Sequence, residues 1–175
     1  MNKKLWSLLM TGLLFLGGFQ VFASVQDSKT LHETITLSSI DISETDSYTR
    51  LSLTDSTMLT SEYEKPMLPK ITKTIILPFG STLQDIFITF SNTEVITIDK
   101  PIQPAGKAIP LSTSNLDNIQ PSIAEYDQLT VYPQNQFEYD LSSGIKDDSQ
   151  VTFLSISLYP VQYIPSESKI SVSKT

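Results

Sequence analysis

The sequence predicts an all-β protein, an antiparallel β-sandwich of about eight or nine short strands. Short β-branched and apolar runs recur along the chain between turns, and no stretch shows a sustained 3.6-residue apolar period with a helix cap. The clearest run follows Pro66-Met67-Leu68-Pro69, whose two prolines fix φ and keep the residues before them extended. The backbone that leads into residues 71–77 is therefore extended. The β-branched residues of that segment are typical of a strand.

Alternating apolar and polar residues predict further strands on both sides of this segment. Leu51 and Leu53 are expected on one face of an early strand, and Ile170 and Val172 are expected to point inward from the last one. Residues 142–150 are expected to form a polar hairpin loop. The predicted strands are residues 31–37, 48–53, 71–77, 83–90, 95–98, 123–131, 137–141, 151–159 and 168–173, with a short pairing left open at 58–59.

The N-terminus has the pattern of a cleaved signal peptide, predicted over residues 1–23. Lys3 and Lys4 precede an apolar run of about 15 residues, and Val21-Phe22-Ala23 offers the small residues expected at the cleavage positions. The alternative is a transmembrane anchor, but the run is shorter than the roughly 20 residues that span a bilayer. The sequence therefore predicts export by a Sec-type route, to the periplasm, the cell surface or the medium.

Composition argues against several classes of function. The chain has 12 basic and 19 acidic residues, and loss of residues 1–23 would remove two lysines and no acid, so the net charge would change from −7 to −9. Nucleic acids and anionic membranes attract a positive surface, so neither a nucleic-acid partner nor stable membrane insertion is expected. The absence of cysteine excludes disulfides, a thiol nucleophile and thiolate metal sites.

The sequence offers no recognisable catalytic or metal-binding pattern, so we predict no enzymatic activity, no metal and no cofactor. His32 is the one histidine and is expected at the surface, while no G-x-S-x-G motif distinguishes any serine. Asp140 and Asp147-Asp148 lack the ligand spacing of a calcium loop and are interpreted as solvated acidic residues. Glu138-Tyr139-Asp140 is interpreted as a solvated strand edge that opposes edge-to-edge aggregation.

A proline-rich segment between Lys100 and Pro121 interrupts the strand pattern. Loops longer than about 12–15 residues are uncommon in compact domains and are often functional. The alternative is a flexible surface connection. The residues that break the pattern are Pro101, Pro104, Gly106, Pro110 and Pro121.

Three short motifs occur in the part of the chain after Glu64. They are Lys65–Pro69 before the strand at residues 71–77, Ile102-Gln103-Pro104 after the strand at residues 95–98, and the segment 160–165 between the last two strands. In order and spacing, over roughly 110 residues, they resemble the propeptide domain of gingipain-type cysteine peptidases. The residues that carry the motifs are Pro66, Leu68, Pro69, Pro160, Tyr163 and Pro165.

The resemblance implies a β-sandwich prodomain that packs on a peptidase catalytic domain, assists its folding and blocks its cleft. In members of the family, a loop after the second motif places a basic side chain in the specificity pocket. That loop corresponds to about residues 104–121, where Lys107 is the only base and Leu111 aligns near the family's basic position. The glycine that precedes the first proline in the family is replaced by Lys65.

The partner that the resemblance implies is a cysteine peptidase catalytic domain, joined downstream in the same chain or bound in trans. The family's Cys and His would lie beyond Thr175, so we expect either a fragment of a longer precursor or a domain that works alone. Residues 24–62 are expected to complete one domain with the propeptide-like residues 63–175. The second hypothesis is a standalone structural or adhesion module of a secreted or cell-surface protein, which would not need an ordered, protruding loop.

Overall fold

The structure is a computed structural model that describes residues 29–109 and 122–173. Within these residues it contains nine strands, paired antiparallel, and two short 3-10 helices, which confirms the predicted all-β antiparallel sandwich. In the same residues, no helix has the length and apolar character needed to cross a membrane. The strands are β1 (Ile40–Glu44), β2 (Thr49–Leu53), β3 (Met58–Leu59), β4 (Pro69–Pro78), β5 (Glu94–Thr97), β6 (Phe137–Lys146), β7 (Ser149–Leu158), β8 (Val161–Ile164) and β9 (Lys169–Val172).

The strands form three sheets. The first has the order β3-β4-β7-β6, the second has the order β5-β9-β8, and β1 pairs with β2. Residues 29–33 belong to a separate N-terminal unit, and the unit that starts at Thr34 contains every strand named above.

Two hydrophobic clusters form the core, and β2 contributes to both. Leu51 lies in the larger cluster, and Leu53 lies in a smaller one with Ile71 and Leu158. The prediction that Leu51 and Leu53 share an inward face is therefore confirmed, as it is for the two inward residues of β9. The buried members of the larger cluster are Leu51, Leu68, Ile98, Ile102, Tyr126, Val161, Tyr163, Ile170 and Val172.

Two predicted strands, at residues 31–37 and 83–90, are wrong, because neither segment pairs with another strand. In residues 83–90 the side chain of Phe87 is 87% exposed, so it is not covered by a neighbouring layer. Alternation indicates which side chains face the core, but a strand also needs a neighbour for its backbone groups. The half-buried residues that pack against the smaller cluster are Ile35, Leu37, Ile88, Phe90, Phe137 and Ile156.

The strand predicted at residues 123–131 is also wrong, because a 3-10 helix occupies Ala124–Gln128. The Ala124 N–H donates to the Ser122 hydroxyl (3.0 Å), a local bond that competes with strand pairing. Tyr126 is buried and Leu129 is partly buried. These two apolar residues are three apart, which matches the three-residue turn of a 3-10 helix and was the signal available in the sequence.

The polar loop predicted at residues 142–150 is wrong as well. β6 continues to Lys146 and β7 begins at Ser149, so the connection is a two-residue turn. Asp147 and Asp148 adopt left-handed conformations with φ of 49° and 59°. Two-residue hairpins favour this conformation, and Asp tolerates it better than most residues. The two aspartates are exposed, as predicted.

Thr60 holds the chain in place before β4. Its hydroxyl donates to the Pro66 carbonyl (2.7 Å) and accepts from the Leu68 N–H (2.8 Å). All three residues are buried, so water cannot replace these bonds.

Replacing Thr60 with valine keeps the shape of the side chain but removes both hydrogen bonds. We expect a loss of about 1–3 kcal/mol of unfolding free energy, because a buried donor and a buried acceptor lose a partner. Chemical denaturation measures this loss. Thr74→Val, at an exposed position of β4, is the matched control and should change stability by less than about 0.5 kcal/mol. Equal stability of the Thr60→Val variant and the parent would contradict this role for Thr60.

Candidate functional site

The first two sequence motifs lie side by side in the structure. The Met67 N–H donates to the Gln103 carbonyl and the Ala105 N–H donates to the Lys65 carbonyl, both at 2.9 Å. The Glu64 N–H donates to the Ala105 carbonyl at 3.0 Å. The segment that precedes the predicted loop is therefore tied to the segment that precedes β4.

The start of β2 holds the other side of the same segment. The Thr49 N–H donates to the Pro101 carbonyl (2.9 Å), and the Gln103 N–H donates to the Thr49 carbonyl (3.0 Å). The Thr49 hydroxyl donates to the Lys100 carbonyl at 2.9 Å, and Thr49 is fully buried. Residues 101–105 are thus held on both sides although they form no strand of their own.

The third motif is linked to the segment 101–105 through aromatic side chains. The Tyr126 hydroxyl donates to the Ile102 carbonyl (2.9 Å), and the Tyr126 and Tyr163 rings meet edge to face with 5.8 Å between centroids. The Tyr163 backbone exchanges two hydrogen bonds with Tyr132, of 2.7 and 2.9 Å. The segment 160–165, expected to connect the last two strands, itself contains β8 (Val161–Ile164). We call the buried residues Thr49, Ile102, Tyr126 and Tyr163 the Ile102 node.

Four tyrosines with raised pKa values should make the domain sensitive to alkali. Burial raises the pKa of Tyr132 and Tyr159 to about 12, and burial likewise raises the pKa of Tyr126 and Tyr163 above the ordinary value of 10.0. Above pH 10 the unfolded chain loses tyrosine protons that the folded chain retains. Stability that is fully present below pH 10 is therefore expected to fall as the pH rises toward the folded pKa values.

Thermal unfolding midpoints on either side of pH 10, followed together with tyrosinate absorbance, measure this effect. A Tyr126→Phe variant is the control and should show a shallower decline, because one of the shifted groups is gone. A midpoint that stays constant through the ionisation of tyrosine would contradict the placement of these rings.

The predicted inhibitory loop leaves from the node. Pro104 and Ala105 are buried, whereas Gly106, Lys107 and the two residues that follow are exposed. The loop base therefore ends at Ala105, not at Pro104 as the motif suggested. Leu111, the other predicted anchor, lies outside the described residues.

The residues of the fold motifs occupy the core around the node. Tyr163 is 3% exposed, and Pro165 is half-buried. The sequence did not single out Thr49 or Tyr126, because neither belongs to a motif and their contacts are long-range. The fully buried motif residues are Pro66, Leu68, Pro69 and Pro160.

A groove of about 500 Å³ opens beside the segment 58–65, and its lining mixes apolar residues with polar ones, some of which are paired. The Tyr159 hydroxyl donates to Glu138 (2.9 Å), and Lys65 forms an ion pair with Glu125 (3.4 Å). His32 is exposed, and the described residues contain no group of three potential metal ligands.

Comparison with solved structures identifies the class of fold. The chain matches a structure of gingipain K from Porphyromonas gingivalis, described for its zymogenic latency, with a TM-score of 0.63 and 16% identity, over 79% of this chain and 78% of the other. It also matches the complex of the pro- and mature domains of Porphyromonas gingivalis RgpB, with a TM-score of 0.58 and 16% identity, over 80% and 73%. No protein-family model and no curated protein sequence matches.

These matches confirm the resemblance at the level of the fold. The described chain is an all-β domain, and its fold is similar to the folds of these two structures. It has the fold of a gingipain-type propeptide domain.

Proposed function

We propose that this domain binds the catalytic domain of a gingipain-type cysteine peptidase, assists its folding and blocks its cleft with the loop that begins at Gly106. The domain itself is not an enzyme in this proposal. The observation that carries the proposal is the fixed base of the loop, where exposed residues follow a buried segment held by hydrogen bonds on both sides.

A fixed base favours inhibition because it lowers the entropy lost on docking. On the neighbouring segment, Lys65 bonds to Ala105 and Met67 bonds to Gln103. Pro104 lies between these two bonded residues, so the base cannot move unless the bonds break. A loop held at its origin searches fewer conformations before it enters a cleft, so more of the contact energy appears as affinity.

Lys107 and Leu111 are the proposed anchor side chains, and they suit different pockets. Lys107 is exposed two residues beyond the fixed base and would suit an acidic specificity pocket. Leu111 would suit an apolar pocket. The rest of the domain is acidic, with a net charge of −7 for the whole chain, so a basic anchor would stand out from its surroundings.

The proposal also includes export of the domain, either attached to its peptidase or acting in trans. The signal-peptide pattern of residues 1–23 supports export. The RgpB structure supports a peptidase partner, because it is a complex of pro- and mature domains.

Titration of the chain into the mature domains of RgpB and of gingipain K tests the proposal. We expect a loss of peptidase activity that rises with the concentration of the chain and is matched by co-elution of the two proteins. Lys107→Ala should weaken inhibition by about 10-fold or more, because truncation of a central anchor commonly costs over 1 kcal/mol. Lys169→Ala, at a surface ion pair on β9, is the control and should inhibit as well as the parent.

Two other outcomes have different meanings. Inhibition that survives Lys107→Ala would shift the anchor to Leu111 or to another part of the loop. Failure to bind either peptidase would favour the standalone binding module.

A further inference from the structure

The four-stranded sheet ends in a long open edge. β6 is ten residues long and pairs with β7 on one side, and no strand of the described residues pairs with its other side. The opposite edge of the same sheet is β3, which has two residues. Short edge strands are a common protection against pairing with another chain, and β6 does not have that protection.

The two-residue turn determines which backbone groups of β6 point outward. Lys146 and Ser149 flank the turn and form the first hydrogen-bonded pair of the hairpin. Because hydrogen-bonded and non-bonded pairs alternate, the even-numbered residues of β6 bond to β7. The odd-numbered residues from 139 to 145 therefore present their N–H and C=O groups to the open side.

The two faces of this edge differ in chemistry. Tyr139, Leu141 and Ile145 lie on one face and are 51%, 36% and 74% exposed. Glu138 and Lys146 lie on the other face, near the two ends of the strand, and both are exposed. Glu138 accepts the Tyr159 hydroxyl through one carboxylate oxygen, so its second oxygen remains available for another partner.

We propose that a second copy of this chain pairs antiparallel with β6 across a two-fold axis at Ser142, which joins two four-stranded sheets into one of eight strands. This register places Glu138 of each copy opposite Lys146 of the other, and Tyr139 opposite Ile145. Residues directly opposite in an antiparallel pair lie on the same face about 4.5–5.5 Å apart, so both ion pairs and both apolar pairs form. The inference is independent of the proposed peptidase binding.

Other registers are less favourable. With the axis at Leu141, Glu138 faces Gly144 and neither ion pair forms. With the axis at Ser143, Glu138 faces Asp148, and like charges oppose each other. An axis between two residues would pair residues from opposite faces, which the pleat does not allow in a symmetric edge.

The charges of the segment Glu138–Asp140, interpreted from sequence as a barrier to aggregation, therefore select one register instead of preventing all pairing. The pairing also stops at two copies, because a two-fold contact uses the same edge of both and closes on itself. β3, at the far edge, is too short to continue the sheet.

Sedimentation velocity of the exported form of the chain tests the proposal over a range of concentrations. We expect a monomer–dimer equilibrium with a Kd on the order of 10–100 µM, as for a small interface. Lys146→Glu should weaken the dimer at least tenfold, because both ion pairs become repulsive. The double exchange Glu138→Lys/Lys146→Glu should restore dimerisation to within about threefold of the parent.

Two further variants separate the interface from folding. Lys169→Glu makes the same charge change on β9, outside the four-stranded sheet, and should dimerise like the parent. Ser143→Pro removes an outward N–H without breaking the β6–β7 ladder and should give a folded monomer. The proposal is overturned if the parent stays monomeric at every concentration. It is also overturned if the Lys146→Glu or the Ser143→Pro chain dimerises like the parent, or if the double exchange does not restore the dimer.

Discussion

Tyr163→Ala is expected to lower the unfolding free energy by about 3–4 kcal/mol, in the range measured when a buried aromatic residue is truncated to alanine. Tyr163 is 3% exposed and lies edge to face with Tyr126, whose hydroxyl bonds to Ile102. Removal of the ring leaves a cavity at the Ile102 node, where the three motifs meet. Urea denaturation at neutral pH measures the change.

Two variants identify the origin of this effect. Tyr163→Phe keeps the ring and should lose only about 1 kcal/mol with the hydroxyl. Tyr63→Ala removes a tyrosine that is 47% exposed and should be nearly neutral. If Tyr163→Ala were as stable as Tyr63→Ala, the ring could not occupy the core as described.

Exchange of residues 106–121 for a Gly/Ser linker of equal length is expected to abolish the proposed inhibition of a gingipain-type peptidase, with a loss of about 100-fold or more in inhibitory affinity. The linker lacks Lys107 and Leu111, and its flexibility raises the entropy lost on docking. The melting temperature should change little, because the exchange starts after the last buried residue of the loop base, Ala105. Inhibition assays and thermal unfolding on the same samples separate the two effects.

A longer exchange, which begins at residue 104 instead of residue 106, is the control. A linker that replaces residues 104–121 also removes the buried side chains of Pro104 and Ala105 and the constraint that Pro104 places on the backbone, which weakens the hold of the backbone bonds at residue 105. This longer exchange should destabilise the domain as well as remove inhibition. If the shorter exchange retained inhibition, another surface of the domain would have to make the inhibitory contact.

The sequence pattern predicted a strand correctly where the side chains alternate between apolar and polar and the backbone also has a neighbouring strand to pair with. In β2, Leu51 and Leu53 alternate with polar residues, and their strand has a neighbour in sequence, β1. In residues 83–90 the alternation is equally clear, but the ladder needs a partner strand, and sequence spacing does not reveal one. The end of β6 was missed because Ser142 and Ser143 are polar, although an edge strand tolerates polar residues on both faces.

The candidate site was predictable in part for the same reason. The motifs around Pro66, Ile102 and Pro160 drew attention to the right segments, because prolines in close succession constrain the backbone wherever they occur. The convergence of these segments could not be predicted, because it depends on bonds such as that from Tyr126 to Ile102. The difference between Pro104, which is buried, and Lys107, which is exposed, appears only when burial is known.

The Ile102 node also has a consequence for the timing of the proposed inhibition. The bond between Thr49 and Lys100 spans 51 residues of sequence, and the bond between Tyr126 and Ile102 spans 24. Contacts between such distant residues require loop-closure entropy to be lost before they contribute energy, so they form slowly and late. A chain that is still folding cannot yet hold residues 101–105 in the position described. In the proposed function, the time at which the peptidase is first inhibited during biosynthesis therefore depends on the folding rate of this domain as well as on its affinity for the peptidase.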